Sequence, residues 1–169
     1  MTSWQHDKRW SDRFLPEIRG ILGRYLITEP PVEEDAERNT DLMVLKLDAV
    51  RIGCRVRKYQ YLRQYGHEFT IRAGRPSGAK TELTKIIEGW GDYFFYGFSD
   101  EKEERLAQWI LGDLKALRIY VNREIMANHG KMPGQKNNNI DNSSYFYSFE
   151  YSKIPNFIIG GSILTKQAI

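Results

Sequence analysis

The apolar positions along this chain fall into blocks of different period, and each period predicts a different backbone. Over residues 11–27, Phe14, Ile18, Ile21, Leu22 and Tyr25 recur three and four residues apart, with Ser11 or Asp12 available as a cap. That spacing predicts an amphipathic helix, which Thr28-Glu29-Pro30-Pro31 must end because proline cannot continue the hydrogen-bond ladder. Thr40 to Leu47 is a near-continuous Leu- and Val-rich run, the pattern of a strand covered on both faces, with Leu47-Asp48-Ala49 as its turn. Val50 to Lys58 alternates instead, with Val50, Ile52, Cys54 and Val56 on one face and Arg51, Gly53, Arg55 and Arg57 on the other. His67 to Ala73 repeats the device: Phe69 and Ile71 point one way, Glu68, Thr70 and Arg72 the other. Three successive strands with a common polar face predict a sheet that carries a site.

Gly74 to Lys80 is a basic loop, and Thr81 to about Trp90 is predicted as a helix with Leu83, Ile86, Ile87 and Trp90 inward. Tyr93 to Phe98 is a dense aromatic run of strand length. Ser99-Asp100-Glu101-Lys102-Glu103 places acids where a helix N-terminus favours them, and Leu106, Trp109, Ile110, Leu114 and Leu117 carry that helix to about Met126. The Gly-, Pro- and Asn-rich stretch 129–144 reads as a mobile loop. Tyr145 to Tyr151 then alternates aromatic with polar, and Phe157-Ile158-Ile159 forms an edge strand or a docking tail. The predicted fold is α/β, a mixed central sheet flanked by helices in αβββαβα order. A core domain spans 1–128, and 129–169 is a loop and C-terminal extension docked on the same domain.

Composition narrows the class. A chain of 169 residues, 41% apolar and 28% charged, has room for one full core and little more. No apolar run approaches the ~18–20 residues of a membrane span, and the start has no signal-peptide core, so the expected setting is cytoplasmic without a membrane partner. A lone cysteine, Cys54, inside an apolar and basic alternation, is expected as a buried small hydrophobe. His6, His67 and His129 are too scattered for a zinc motif, and Gly78-Ala79-Lys80-Thr81 lacks the Gly-Lys-Thr of a phosphate loop.

The net charge of +3 says little, but its distribution says more. Between residues 29 and 48, seven acids face two bases; between 51 and 80, eight bases face only Glu68. Such a pair of blocks suits a metal site beside a phosphate-binding surface, or two solvated faces that attract each other. Tyr59, Tyr61 and Tyr65, interleaved with Arg57, Lys58 and Arg63, are either base-stacking residues or the packed aromatics of a hairpin.

The order helix, strand, strand, strand, helix, strand, helix, with Asn39-Thr40-Asp41-Leu42-Met43-Val44 leading into an apolar strand and His67-Glu68-Phe69-Thr70 beginning another, resembles the PD-(D/E)XK nuclease superfamily over residues 11–126. The resemblance implies a Mg²⁺- or Mn²⁺-dependent nuclease acting on DNA. Asp41 and Glu68 would be the metal ligands, and Lys80 or Lys85 the cation stabilising charge on the phosphate. The lysine two residues after Glu68 is replaced by Thr70, so the implied protein is an atypical nuclease, or one that keeps the binding shape and has lost catalysis. Glu17 and Glu82 are further candidate ligands. Hard carboxylate oxygens suit Mg²⁺, which polarises the phosphoryl group and activates water. Arg55, Arg57, Arg72 and Arg75 are expected to hold flanking phosphates. Glu68 as the cross-strand partner of Arg55 or Arg57, and Asp41 as a strand cap, are the structural alternatives. A non-catalytic nucleic-acid-binding module is the rival function, and a subunit docking through Tyr145 to Tyr151, as a homodimer or on an assembly partner, is the third.

Overall fold

A computed structural model describes residues 3–28, 43–44, 50–75, 78–139 and 144–162. The chain divides into two compact units, Met1–Ala49 and Val50–Ile169.

In the first unit, helices α1 (Ser3–Asp12) and α2 (Leu15–Leu26) precede a short antiparallel pair, β1 (Ile27–Thr28) with β2 (Met43–Val44). The single helix expected over 11–27 is thus two. The Phe14 amide donates to the Ser11 carbonyl and the Arg13 Nε to the Trp10 carbonyl, which closes the first helix and turns the chain. Pro16 then stands in the first turn of α2, where its missing N–H costs nothing. The polar α1 has little apolar period to announce it; Lys8 and Asp12 pair across one turn at 2.6 Å. Of the both-sides-covered strand expected over Thr40–Leu47, Met43–Val44 is a strand and the remainder lies outside the described residues.

The second unit is mixed α/β. Along the chain come β3 (Ile52–Arg57), a 3₁₀ turn at Tyr59–Tyr61, α3 (Leu62–Tyr65), β4 (Glu68–Gly74), α4 (Glu82–Ile87), β5 (Tyr93–Ser99), β6 (Leu106–Asp113), α5 (Leu114–Ala127), β7 (Gln135–Asn138), β8 (Tyr145–Glu150) and β9 (Ile158–Ser162). They build two sheets. One is mixed, in the order β3-β5-β6-β9, with β3 parallel to β5 and the other pairs antiparallel; the second is antiparallel, in the order β4-β8-β7. The expected polar face shared by neighbouring strands therefore does not form, because β3 and β4 belong to different sheets. The helical stretch Tyr59–Tyr65 carries the chain from one sheet to the other, anchored by the Tyr59 amide donating to Ser99 Oγ.

The helix expected from Ser99 to Met126 is a strand and then a helix. Asp100 to Arg105 make a tight turn, in which the Asp100 amide donates to the Arg105 carbonyl and the Glu104 amide to Asp100 Oδ1. The acids serve that turn rather than a helix start. Leu106–Asp113 runs back along β5, and α5 starts at Asp113, whose side chain accepts from the amides of Lys115 and Ala116. The apolar run Trp109-Ile110-Leu111 has helical and strand readings alike, and pairing with β5 selects the strand.

Phe69, fully buried, stacks on Phe157 at 4.7 Å and Phe149 at 5.5 Å. Around it pack Phe94, Tyr96 and Phe98 of β5, Leu83 and Ile86 of α4, and Leu114, Leu117 and Val121 of α5. The core thus joins both sheets to both longer helices of this unit. The C-terminal stretch contributes to both sheets: β7 and β8 complete the antiparallel one, with β7 inside the stretch expected as a loop, and β9 forms an edge of the mixed one.

Candidate functional site

The arginines of β3 face inward. Arg55 donates from Nη1 to the Thr70 carbonyl (2.9 Å) and from Nη2 to Glu82 Oε2 (2.6 Å), a pair whose side chains are 27% and 29% exposed. Arg57 reaches Thr70 Oγ1 (3.3 Å) and lies over the Tyr61 ring at 4.5 Å. Thr70 is buried and shares a hydrogen bond with the Tyr96 hydroxyl. The two guanidinium groups are thus fixed in the layer between β3 and β4: long apolar stems are cheap to bury, and their heads find acceptors there. Cys54, expected to be buried, is exposed on the opposite face of β3. Surrounding atoms still shield its sulfur enough to push the thiol above its ordinary 9.0, so at neutral pH it is not a thiolate.

One edge of this layer opens into a groove of ≈ 410 Å³ lined by Arg55, Arg72, Arg75, Lys80 and Lys85, with Gly53, Ile86, Phe94 and Leu114 as apolar lining and Trp90 also lining it. Glu82 is the carboxylate in this lining, and it is occupied: besides Arg55 it accepts the Arg72 amide at 3.1 Å. Lys80 pairs with Glu88 at 2.7 Å on the surface. Among the described residues, Arg75 and Lys85 have no ion pair and are exposed. Sequence-distant residues expected to act on phosphate, Lys80 and Lys85 as well as Arg55, Arg72 and Arg75, therefore converge, while Arg57 turns into the layer beside them.

Trp90 was expected inward and is 60% exposed; Ile87, expected inward with it, is 38% exposed. For Trp90 the reason is the end of α4. Gly89, at φ +94°, closes the helix with its amide donating to the Ile86 carbonyl and the Trp90 amide to that of Lys85. Beyond that left-handed glycine the helical period no longer applies. Glycine after a run of helical spacing is the sequence signal that could have placed Trp90 outside the helix.

Glu68 lies elsewhere. It stands opposite Glu150 in the β4–β8 register and lines a separate cavity of ≈ 320 Å³ with Tyr120, Gln135, Ser148, Glu150 and Lys153. Glu150, which sequence reasoning missed, accepts from Lys153 at 2.7 Å. That hydrogen bond holds the Glu150 carboxyl below its ordinary 4.5 and Lys153 above its ordinary 10.5. A depressed carboxylate stabilises the fold above its ordinary pKa and loses this as pH falls, and a raised ammonium loses it as pH climbs past 10.5, so the pair contributes across the neutral range. Asp41 lies outside the described residues, and Glu17 sits in the first turn of α2 in the other unit.

Among the described residues no group of three His, Cys, Asp or Glu side chains is placed to hold a metal ion. Glu82 is spent on two donors and Glu68 stands opposite another carboxylate away from the basic groove, so these two are not brought together as metal ligands; Asp41, the expected co-ligand of Glu68, lies outside the described residues. No helix of the described residues is long and apolar enough to cross a membrane. No family model matches the chain, and neither a curated protein nor a solved structure is detectably similar to it.

Proposed function

We propose that the second unit binds nucleic acid through the groove beside α4. The observation that carries this reading is the convergence of five cationic side chains with, among the described residues, a single lining carboxylate that is already bonded to Arg55. A cleft lined by one sign of charge over low-dielectric walls concentrates anions of the opposite sign. Guanidinium and ammonium groups together suit a phosphate backbone, the former as bidentate forks and the latter as point charges.

What favours the nuclease resemblance is that Lys80 and Lys85 join the groove, whereas the chain order departs from αβββαβ by β1 before β2 and α3 between β3 and β4. Against it stand the separation of β3 and β4 into two sheets and the strand β6 where a helix is expected. Binding without assigned chemistry is therefore the reading supported best.

The test is the salt dependence of oligonucleotide binding by fluorescence anisotropy. Each phosphate contact contributes roughly −0.7 to the slope of log K against log salt for a single strand. Arg75 and Lys85, which have no ion pair among the described residues, supply at least about two contacts, so a slope of about −1.4 or steeper is expected. Reversing two charges together, Arg75→Glu with Lys85→Glu, should weaken binding on the order of 100-fold at low salt, while the far-UV circular dichroism stays unchanged. A flat salt response, or full binding by the reversed protein, refutes the proposal. A parallel incubation with plasmid, single-stranded DNA and RNA, with Mg²⁺ or Mn²⁺ and with chelator, reads out cleavage separately.

A further inference from the structure

Resting on that reading, we infer that the groove takes single-stranded nucleic acid and that Trp90 is the platform on which one of its bases stacks.

A tryptophan left 60% in solvent forgoes most of the free energy its burial would give, so a flexible loop would be expected to fold it away. The loop carrying Trp90 is held instead. Glycines stand on both sides of it in the left-handed region, Gly89 at φ +94° and Gly91 at φ +80°, a conformation that costs other residues energy. Arg118 of α5 donates from Nη1 to the Gly91 carbonyl at 3.2 Å and to the Ile86 carbonyl at 3.5 Å, clasping the loop before and after the ring. Asp92 Oδ2 accepts the Arg51 amide at 2.8 Å and fixes the chain as it enters β5. A side chain added at Gly91 would meet Leu114 Cδ1 at 3.0 Å, so space as well as φ favours glycine there. The aromatic is presented rather than left over.

What it is presented to follows from its neighbours. The ring shares the groove with Lys85, Lys80, Arg75 and Arg72, and the wall behind them is apolar: Phe94, Ile86 and Leu114. An aromatic plane beside cations and an apolar wall matches an unpaired base followed along its strand by phosphates. A duplex offers the phosphates but not the unpaired base. Its bases are already stacked and paired, and reading it takes an element that projects into a groove, whereas these side chains line a concavity. A mononucleotide would satisfy the ring but brings a single phosphate group to a groove that Arg72, Arg75, Lys80 and Lys85 line together.

The experiment compares one labelled DNA or RNA strand of roughly 12 nucleotides, within the ~4–16-nucleotide footprint of such grooves, with the same sequence as a duplex and with adenosine monophosphate, on wild type, Trp90→Ala and Trp90→Phe. The wild type should bind the strand more tightly than the duplex, and the duplex or mononucleotide only weakly. Trp90→Ala should cost the strand at least about fivefold and leave duplex binding unchanged; Trp90→Phe should retain most of the affinity. Strand binding should also quench wild-type tryptophan fluorescence, with the quench lost in Trp90→Phe. Equal strand and duplex binding that is indifferent to Trp90 would overturn the stacking role while leaving a polyanion groove. A mononucleotide bound as tightly as the strand would overturn the strand assignment. Failure to bind any of the three would instead sink the nucleic-acid reading beneath it. Because Trp90 is exposed, the variants should melt like wild type.

Discussion

The groove beside α4 and the cavity between β4, β8 and α5 are built from the same kinds of side chain and come out opposite in character. In the groove, charged residues from three separate stretches of chain meet, and the one acid among the described lining residues, Glu82, is neutralised within the wall by Arg55 and the Arg72 amide. In the cavity, two acids meet because antiparallel pairing sets Glu68 opposite Glu150, and Lys153 neutralises one of them at the rim. What separates the two is where the counter-charge sits. A counter-charge inside the wall leaves Arg75 and Lys85 without an ion pair among the described residues and ready for an anion, beside the surface pair Lys80–Glu88; at the rim of the cavity it leaves a small acidic patch whose partner is exposed and screened by salt.

The sharpest way to break that contrast is to remove the charge inside the wall. Glu82→Gln keeps the shape but strips Arg55 of its partner, so stability should fall by about 1–2 kcal/mol, a loss of several degrees in Tm. The groove meanwhile gains a unit of positive charge, so oligonucleotide affinity should rise and the salt slope steepen by up to roughly 0.7. Opposite signs for stability and affinity in one variant, from melting curves and anisotropy, would mark Glu82 as the internal counter-charge. Loss of both would mark it as purely structural.

A smaller effect sharpens the other side. Glu68→Gln removes a like charge from a directly opposed pair, which should stabilise the protein by about 0.2–1 kcal/mol at neutral pH. Oligonucleotide binding should not change. A large fall in binding, or loss of a Mg²⁺-dependent cleavage that wild type possesses, would return Glu68 to the position the nuclease resemblance gives it.

How far these features could be read beforehand depended on how local they were. β3, β4, α4 and β5 are legible because alternation or helical spacing persists for the length of each element, and Thr81, Gly74 and Gly89 punctuate them. The strand at Leu106–Asp113 was not legible, since its spacing also satisfies a helix and the acids before it suit either a cap or a turn; only its partner β5 decides. The basic half of the site was visible as a charge block, yet Arg57, inside that block, turns away from the groove, and Lys85, outside it, enters. Glu150 could not be paired with Glu68 from sequence, because an antiparallel register joining residues 82 apart leaves no local trace. Trp90 was misread for a narrower reason: helical period was carried one residue past the glycine that ends it.

The central claim is that the anion meets the groove and not the cavity, and residue-resolved amide shifts on adding a single-stranded oligonucleotide test it most directly. Shifts concentrated at Arg72, Arg75, Lys80 to Lys85 and Trp90, including the indole N–H, with Glu68, Glu150 and Lys153 unmoved, are predicted. Shifts centred on the β4–β8 carboxylate pair, or spread evenly over the exposed lysines, would contradict it.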